Sequence, residues 1–116
     1  MRLESLKYLH DVQQSVDSIA RFCAGESFER YSENLMLRSA VERQFEIAGE
    51  ALSQLAKIDA QTFERVPEAR QIVAFRNFLI HGYATINNRL VRGVVINDIA
   101  ALKSAVASLL EEGETP

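Results

Sequence analysis

The residues best equipped for chemistry in this sequence lie in one stretch, RNFLIHGY, from Arg76 to Tyr83. Arg76 offers a planar fork of N–H groups that matches the oxygens of a phosphate. His81 is the side chain whose ordinary pKa lies nearest neutrality, which suits it to giving and taking a proton. At a helix C-terminus the carbonyl ends favour its protonated form, while a nearby arginine opposes it. Together the two are sufficient for metal-free cleavage of an RNA phosphodiester, because the ribose 2′-OH can serve as an internal nucleophile. At five residues' separation they lie roughly 140° apart around a helix axis and share no strict stripe. They can line one groove only because arginine is long and His81 falls where the helix is ending. The bland alternative is that both cap carbonyls and pair with acids, and spacing alone leaves the two readings open.

The elements that must carry this stretch are helices. Leu9, Val12, Val16, Ile19 and Cys23 recur at spacings of three and four, which predicts a first helix from about Leu3 to Ala24, ended by Gly25. SFERY reads as a helical turn capped by Ser27. A second long helix runs from near Asn34 to about Lys57 on the stripe Val41, Phe45, Ala48, Leu52 and Leu55. Asp59 caps a short segment, AQTFER, and Pro67 fits the first turn of the next helix. That helix carries Ile72, Val73, Phe75, Phe78, Leu79 and Ile80 and should stop at Gly82. YATINN is a connector, and Asn87 or Asn88 can cap a last long helix with the stripe Val91, Val95, Ile99, Leu102, Val106 and Leu109. EEGETP is expected to fray. Nothing alternates cleanly with period two, so the fold class is all-α. The expectation is one domain over residues 1–116, an antiparallel helical bundle of four main helices plus short helical turns.

Composition sets the outer bounds. A chain of 116 residues with 47% hydrophobic residues supports one packed core. The single cysteine, Cys23, excludes an internal disulfide, and its apolar neighbours suggest a buried thiol. No apolar run approaches the ~20 residues of a membrane span, and the charged N-terminus does not read as a signal peptide. A soluble cytoplasmic protein with no membrane partner is the expectation. The net charge of −3 argues against bulk electrostatic binding to nucleic acid. Between Arg65 and Arg92, however, five arginines face one acid, Glu68, whereas the rest of the chain holds eight bases and fifteen acids. This basic island suits a local phosphate site, or else its arginines pair with acidic helices elsewhere.

Other polar residues carry weaker signals. Gly49 lies inside a strong helix, where it costs ~1 kcal/mol against alanine. It marks close approach of another helix, either within the monomer or across a dimer. Glu42, Glu46 and Glu50 share the polar side of that helix, either holding arginines such as Arg76 or forming a solvated face. The E-x-x-H spacing of carboxylate-bridged metal bundles is absent, and His10 has no second ligand at helical spacing, so no metal or other cofactor is expected. No Gly-rich phosphate loop is present.

RNFLIHGY resembles the R-x-x-x-x-H-x-Y signature of the HepT-like branch of the HEPN superfamily. AVERQFEIAGEAL, Ala40 to Leu52, is similar to that family's AxERxxExIGEA helix, and IN followed by a hydrophobic helix matches its connector. The resemblance covers about residues 27 to 102. It implies an all-α HEPN-like bundle acting as a homodimer, with two copies of the Arg–His motif meeting in a shared cleft. It further implies a metal-independent ribonuclease toxin acting on RNA such as tRNA, paired with a nucleotidyltransferase antitoxin that transfers AMP to the motif tyrosine. Carried over by position, Arg76 binds phosphate, His81 is the acid/base, Asn77 supports the site and Tyr83 is the modified tyrosine. The sequence departs from the family in having Asn87 where an Asp is common. It also lacks any Trp early in the last helix, where Arg92 lies. A non-catalytic helical module that binds a nucleotidyltransferase and a nucleotide is the rival reading.

Overall fold

Helix formation follows the apolar stripes closely. The computed structural model describes residues 1–80 and 88–114 and contains seven helices among them. These are α1 (Leu3–Cys23), α2 (Phe28–Glu33), α3 (Leu35–Ile58), α4 (Ala60–Glu64), α5 (Ala69–Ile80), α6 (Asn88–Asn97) and α7 (Ile99–Glu114). The all-α class is as the periodicity predicts. The stripes of α1 and α3 face one another, with Leu9, Val12, Val16 and Ile19 meeting a layer of Val41, Phe45, Leu52 and Leu55, all inaccessible to solvent. α7 packs against the other side of α1, and α5 against α3. Among the described residues no single helix is long and apolar enough to cross a membrane.

The caps are where the local chemistry requires them. The Ser27 hydroxyl accepts from the Arg30 N–H at 3.1 Å and starts α2. Asn34 Oδ1 accepts from the Leu37 N–H at 3.0 Å and starts α3. Gly25, at φ +74°, turns the chain out of α1 through the left-handed region that other residues avoid. Asp59 does more than cap α4. Its carboxylate accepts from the Thr62 N–H at 3.2 Å, the Thr62 hydroxyl at 2.7 Å and the buried Ser5 hydroxyl at 2.8 Å. One side chain thereby starts α4 and fastens the first turn of α1 to the end of α3.

Three expectations need correction. Pro67 does not open α5. It is the second residue of a turn closed by the Ala69 N–H donating to the Val66 carbonyl at 3.3 Å, and α5 begins two residues later. Glu68, the third residue of that turn, takes φ +66°, as the type II pattern of proline followed by a positive φ demands. The last long helix is two helices, α6 and α7, bent by 46° around Asp98. The backbone bonds survive the bend, with the Asp98 N–H on the Val94 carbonyl and the Leu102 N–H on the Asp98 carbonyl. The cause is a change of partner, since α6 packs on α2 whereas α7 lies along α1. Asn97 and Asp98, both poor helix formers, take the bend. Nor do residues 111–114 fray. α7 reaches Glu114, whose carboxylate accepts from His10 Nε2–H at 2.7 Å, and Glu112 accepts two bonds from Arg65 at 2.9 and 2.7 Å. Gly113 lies so close to Leu6 that an added Cβ would come within 2.8 Å of it.

Replacing Asp59 with alanine should lower the unfolding free energy by about 1–2 kcal/mol, because a cap is lost and the buried Ser5 hydroxyl loses its acceptor. The bonds from Thr62, Ser5 and the Thr62 backbone, with the charge of Arg2, hold the Asp59 carboxyl below its usual pKa. A depressed folded pKa contributes stability above the unfolded value and loses it as pH falls through the folded one. Urea titrations at pH 7 and below pH 4 should therefore show the gap between wild type and Asp59→Ala narrowing on acidification.

Candidate active site

α5 is held to α3 by a short series of contacts that ends at Arg76. Ile72, Phe75 and Leu79 form its buried stripe. The Phe75 ring meets Phe45 of α3 edge-to-face, with centroids 5.0 Å apart at 80°, and lies nearly parallel to Phe78 at 6.5 Å. One turn further along α3 is Gly49. A Cβ there would lie 2.3 Å from Arg76 Cβ, 2.8 Å from Arg76 Cγ and 3.2 Å from the Ile72 carbonyl oxygen. The glycine that is costly inside a helix is thus a seat for the stem of Arg76, and the close approach it marks is within the monomer.

The head of Arg76 is held on both sides. Nη2 lies 2.6 Å from Glu50 Oε2, and Nη1 donates to Asn77 Oδ1 at 3.0 Å. Glu50 is itself held by the Gln54 amide, which donates to Oε1 at 3.0 Å. Gln54, Glu50, Arg76 and Asn77 therefore form one chain of polar contacts across α3 and α5. The Arg76 side chain is 25% exposed and that of Glu50 47%, so the ion pair is worth at most ~1 kcal/mol. Burial of Phe75, at ~1.5–3 kcal/mol, outweighs it. The pair directs the guanidinium rather than stabilising the fold. Among the described residues the partners of Arg76 engage only some of its five N–H donors, which leaves others for an incoming anion.

Arg76 opens onto a cleft of about 470 Å³, within the range of small-ligand sites. Lys7, Tyr8 and Asp11 of α1 form one wall. Arg43, Glu46, Ile47, Glu50, Ala51 and Gln54 of α3 form the floor, and Arg76 and Ile80 of α5 the other wall. Lys7 faces Asp11 at 3.9 Å and Arg43 faces Glu46 at 3.3 Å. Of the three acids on the polar side of α3, Glu50 holds Arg76 and Glu46 holds Arg43. Glu42 is nearer Arg38 and Tyr31, and desolvation raises its pKa, against the charge of Arg38 and together with that of Glu46.

Of the four residues singled out by sequence, Arg76 and Asn77 touch one another. His81 and Tyr83 lie outside the described residues, as do Gly82 and Asn87 and the rest of the connector before Asn88. Most of the basic island is paired. Arg65 binds Glu112, Arg70 binds Glu64, Arg92 donates to the Glu26 carbonyl at 3.2 Å, and Arg89 lies over the Phe28 ring at 4.5 Å. Cys23 is only partly buried, and burial raises its pKa. Phe75 and Leu79 are taken up by the chain's own core, which leaves Ile80 as the exposed apolar end of α5. The wall supplied by α1 was not legible in advance. Tyr8 and Asp11 share a face at i, i+3, but nothing in α1 alone says which helix that face meets.

Two of the helical glycines, Gly49 and Gly93, separate packing from propensity. Gly49→Ala should cost about 1–3 kcal/mol, because α5 must move off its seat and carry Arg76 with it. Gly93→Ala, where an added Cβ meets nothing within 4 Å, should stabilise the protein by up to ~1 kcal/mol. Paired thermal melts of the two variants test the contrast.

Comparison with known proteins converges on one family. The Ribonuclease HepT-like family model matches residues 12–109. A protein of Methanocaldococcus jannaschii named as a putative RNase is 31% identical over 99 residues, covering 85% of this chain and 90% of its own. One from Caldanaerobacter subterraneus subsp. tengcongensis with the same kind of name is 30% identical over 105 residues, covering 90% and 93%. The probable ribonuclease HepT of Thermococcus cleftensis is 28% identical over 109 residues, covering 94% and 98%. No solved structure gives a significant match. With a family model spanning most of its length and such relatives beside it, the chain belongs to the HepT-like ribonuclease family.

Proposed function

We propose that this chain is a metal-independent ribonuclease toxin that cleaves RNA with Arg76 and His81. The observation that carries the reading is the seating of Arg76. A guanidinium fixed by Gly49, Glu50 and Asn77 at the wall of a nucleotide-sized cleft is preorganised for a phosphate, in a chain of the HepT-like ribonuclease family. In the proposed reaction Arg76 donates to the non-bridging oxygens of the scissile phosphate. His81, next in sequence after the cleft residue Ile80, takes the proton of the ribose 2′-OH as O2′ attacks phosphorus. The bond to the 5′-oxygen breaks, and that oxygen leaves with a proton from an imidazolium. The products are a 2′,3′-cyclic phosphate and a free 5′-OH, so no water and no metal ion enters this step.

On the same reading the active species is a homodimer, and a nucleotidyltransferase partner silences it by moving AMP to Tyr83. The added phosphate brings negative charge and bulk to the site that RNA must occupy. A phenol contributes little to the cleavage itself, so loss of its hydroxyl should spare activity.

Arg76→Ala and His81→Ala should each reduce RNA cleavage by at least about 10²-fold while leaving the helical circular dichroism unchanged. Arg76→Lys should recover little, because a point charge lacks the two-pronged geometry. Wild-type activity should persist in EDTA, and Tyr83→Phe should remain active when co-expressed with the partner. Full activity of His81→Ala removes the mechanism. Mass spectrometry that finds the silenced protein unmodified removes the AMP-transfer step.

A further inference from the structure

Lys7 occupies an unusual position in the Arg76 cleft. Its ammonium lies 5.0 Å from the centroid of the Tyr8 ring and 3.9 Å from Asp11 Oδ2. An aromatic face and a carboxylate thus converge on one point, at present filled by a cation. The Lys7 side chain is 69% exposed, and Tyr8 beneath it is partly buried against the core while it also lines the cleft. An exposed ammonium on a four-carbon stem is easily displaced, because its contacts are worth little in water. A nucleobase bearing an exocyclic amino group would satisfy both partners at once. Its ring would stack on Tyr8, and its N–H would donate to Asp11. The cleft that holds these two residues also holds Arg76.

We propose that Tyr8 and Asp11 form a base subsite beside Arg76, which selects an RNA nucleotide whose base carries an amino group over uracil, with Lys7 as the movable cover. The proposal rests on the phosphate role given above to Arg76. On binding, Lys7 leaves the ring and the carboxylate together, and its charge becomes free to meet the nucleotide's phosphate. Asp11 changes from pairing an ammonium to accepting an amino N–H, so its charge stays satisfied. Uracil can stack on Tyr8, but it offers a carbonyl where cytosine offers the amino group, and a carbonyl facing a carboxylate is repelled.

The test uses the full chain and small probes, so its outcome does not depend on cleavage. Calorimetric titration with inorganic phosphate, CMP and UMP should give an order tightest for CMP and weakest for phosphate. Tyr8→Ala should cost CMP about tenfold in affinity and leave phosphate unchanged. Tyr8→Phe should retain CMP binding, and Tyr8→Leu, which keeps the apolar bulk if alanine impairs folding, should lose it as alanine does. Asp11→Ala should bring CMP and UMP to similar affinities, and Arg76→Ala should weaken all three ligands. Equal affinity of the wild type for CMP and UMP overturns the amino-group selection. Unchanged CMP binding by both Tyr8→Ala and Tyr8→Leu overturns the subsite. A protein that binds CMP in this pattern yet cleaves no RNA fails the ribonuclease mechanism and leaves the subsite standing, so the two failures are distinguishable.

Discussion

The absence of a side chain at Gly49 is the constraint on which the site depends. Two helices normally meet through interdigitating side chains at 8–10 Å between axes. Here α3 offers bare backbone, and α5 settles on it with the Ile72 carbonyl and the Arg76 stem in the gap. Any Cβ would have to push away another Cβ, which is fixed to its backbone and has no rotamer by which to give way. The site is therefore built on a backbone approach and fine-tuned by ion pairs. The order of magnitudes agrees: moving a packed helix costs more than losing a half-exposed carboxylate partner.

The core and the candidate site are drawn from different parts of the molecule. The large inaccessible side chains are concentrated on α1, α3 and α7, with Leu9, Ile19, Leu52, Leu55 and Leu102 among them. Asp59 ties the start of α1 to the α3–α4 junction, and Arg65 and His10 tie down the end of α7. Arg76 lies on the flank of this assembly, in the last turns of α5, with Ile80 exposed beyond it. A helix held mainly by Ile72, Phe75 and Leu79 can carry Arg76 near its far end without the core depending on that charge.

What could be read from the sequence, and what could not, divides along the range of the forces involved. The bounds of α1, α2, α3 and α4 follow from stripes and caps, which act within a turn or two. Local signals misled where a distant partner decided the outcome. Pro67 suits a first helical turn or the second place of a tight turn equally well, and the left-handed Glu68 settles it in the fold but leaves no mark in the residue type. The stripe from Val91 to Leu109 is continuous, yet its two halves serve α2 and α1, so the chain bends. Residues 111–114 look unstructured because their glycine and acids are read without Leu6, Arg65 and His10, each far away in sequence. In the site, the signature drew attention to Arg76 and the interior glycine to a close approach. Their contact, and the facing Tyr8 and Asp11, are products of tertiary packing alone.

A chain of net charge −3 repels RNA if charge is averaged over the molecule, but averaging is the wrong operation in this cleft. Lys7, Arg43 and Arg76 each face a carboxylate, Asp11, Glu46 and Glu50, so the walls are neutral pair by pair. Such a surface has little long-range pull on a polyanion, and what it offers instead is exchange at short range. Each cation can trade part of its contact with a carboxylate for contact with a phosphate, and each carboxylate so released can accept an N–H from a base. The exchange is balanced only by a ligand that carries anionic oxygens and N–H donors together, which inorganic phosphate and simple polyanions do not. In the proposed subsite, discrimination then comes from the match of both charges at once, and attraction contributes little to it.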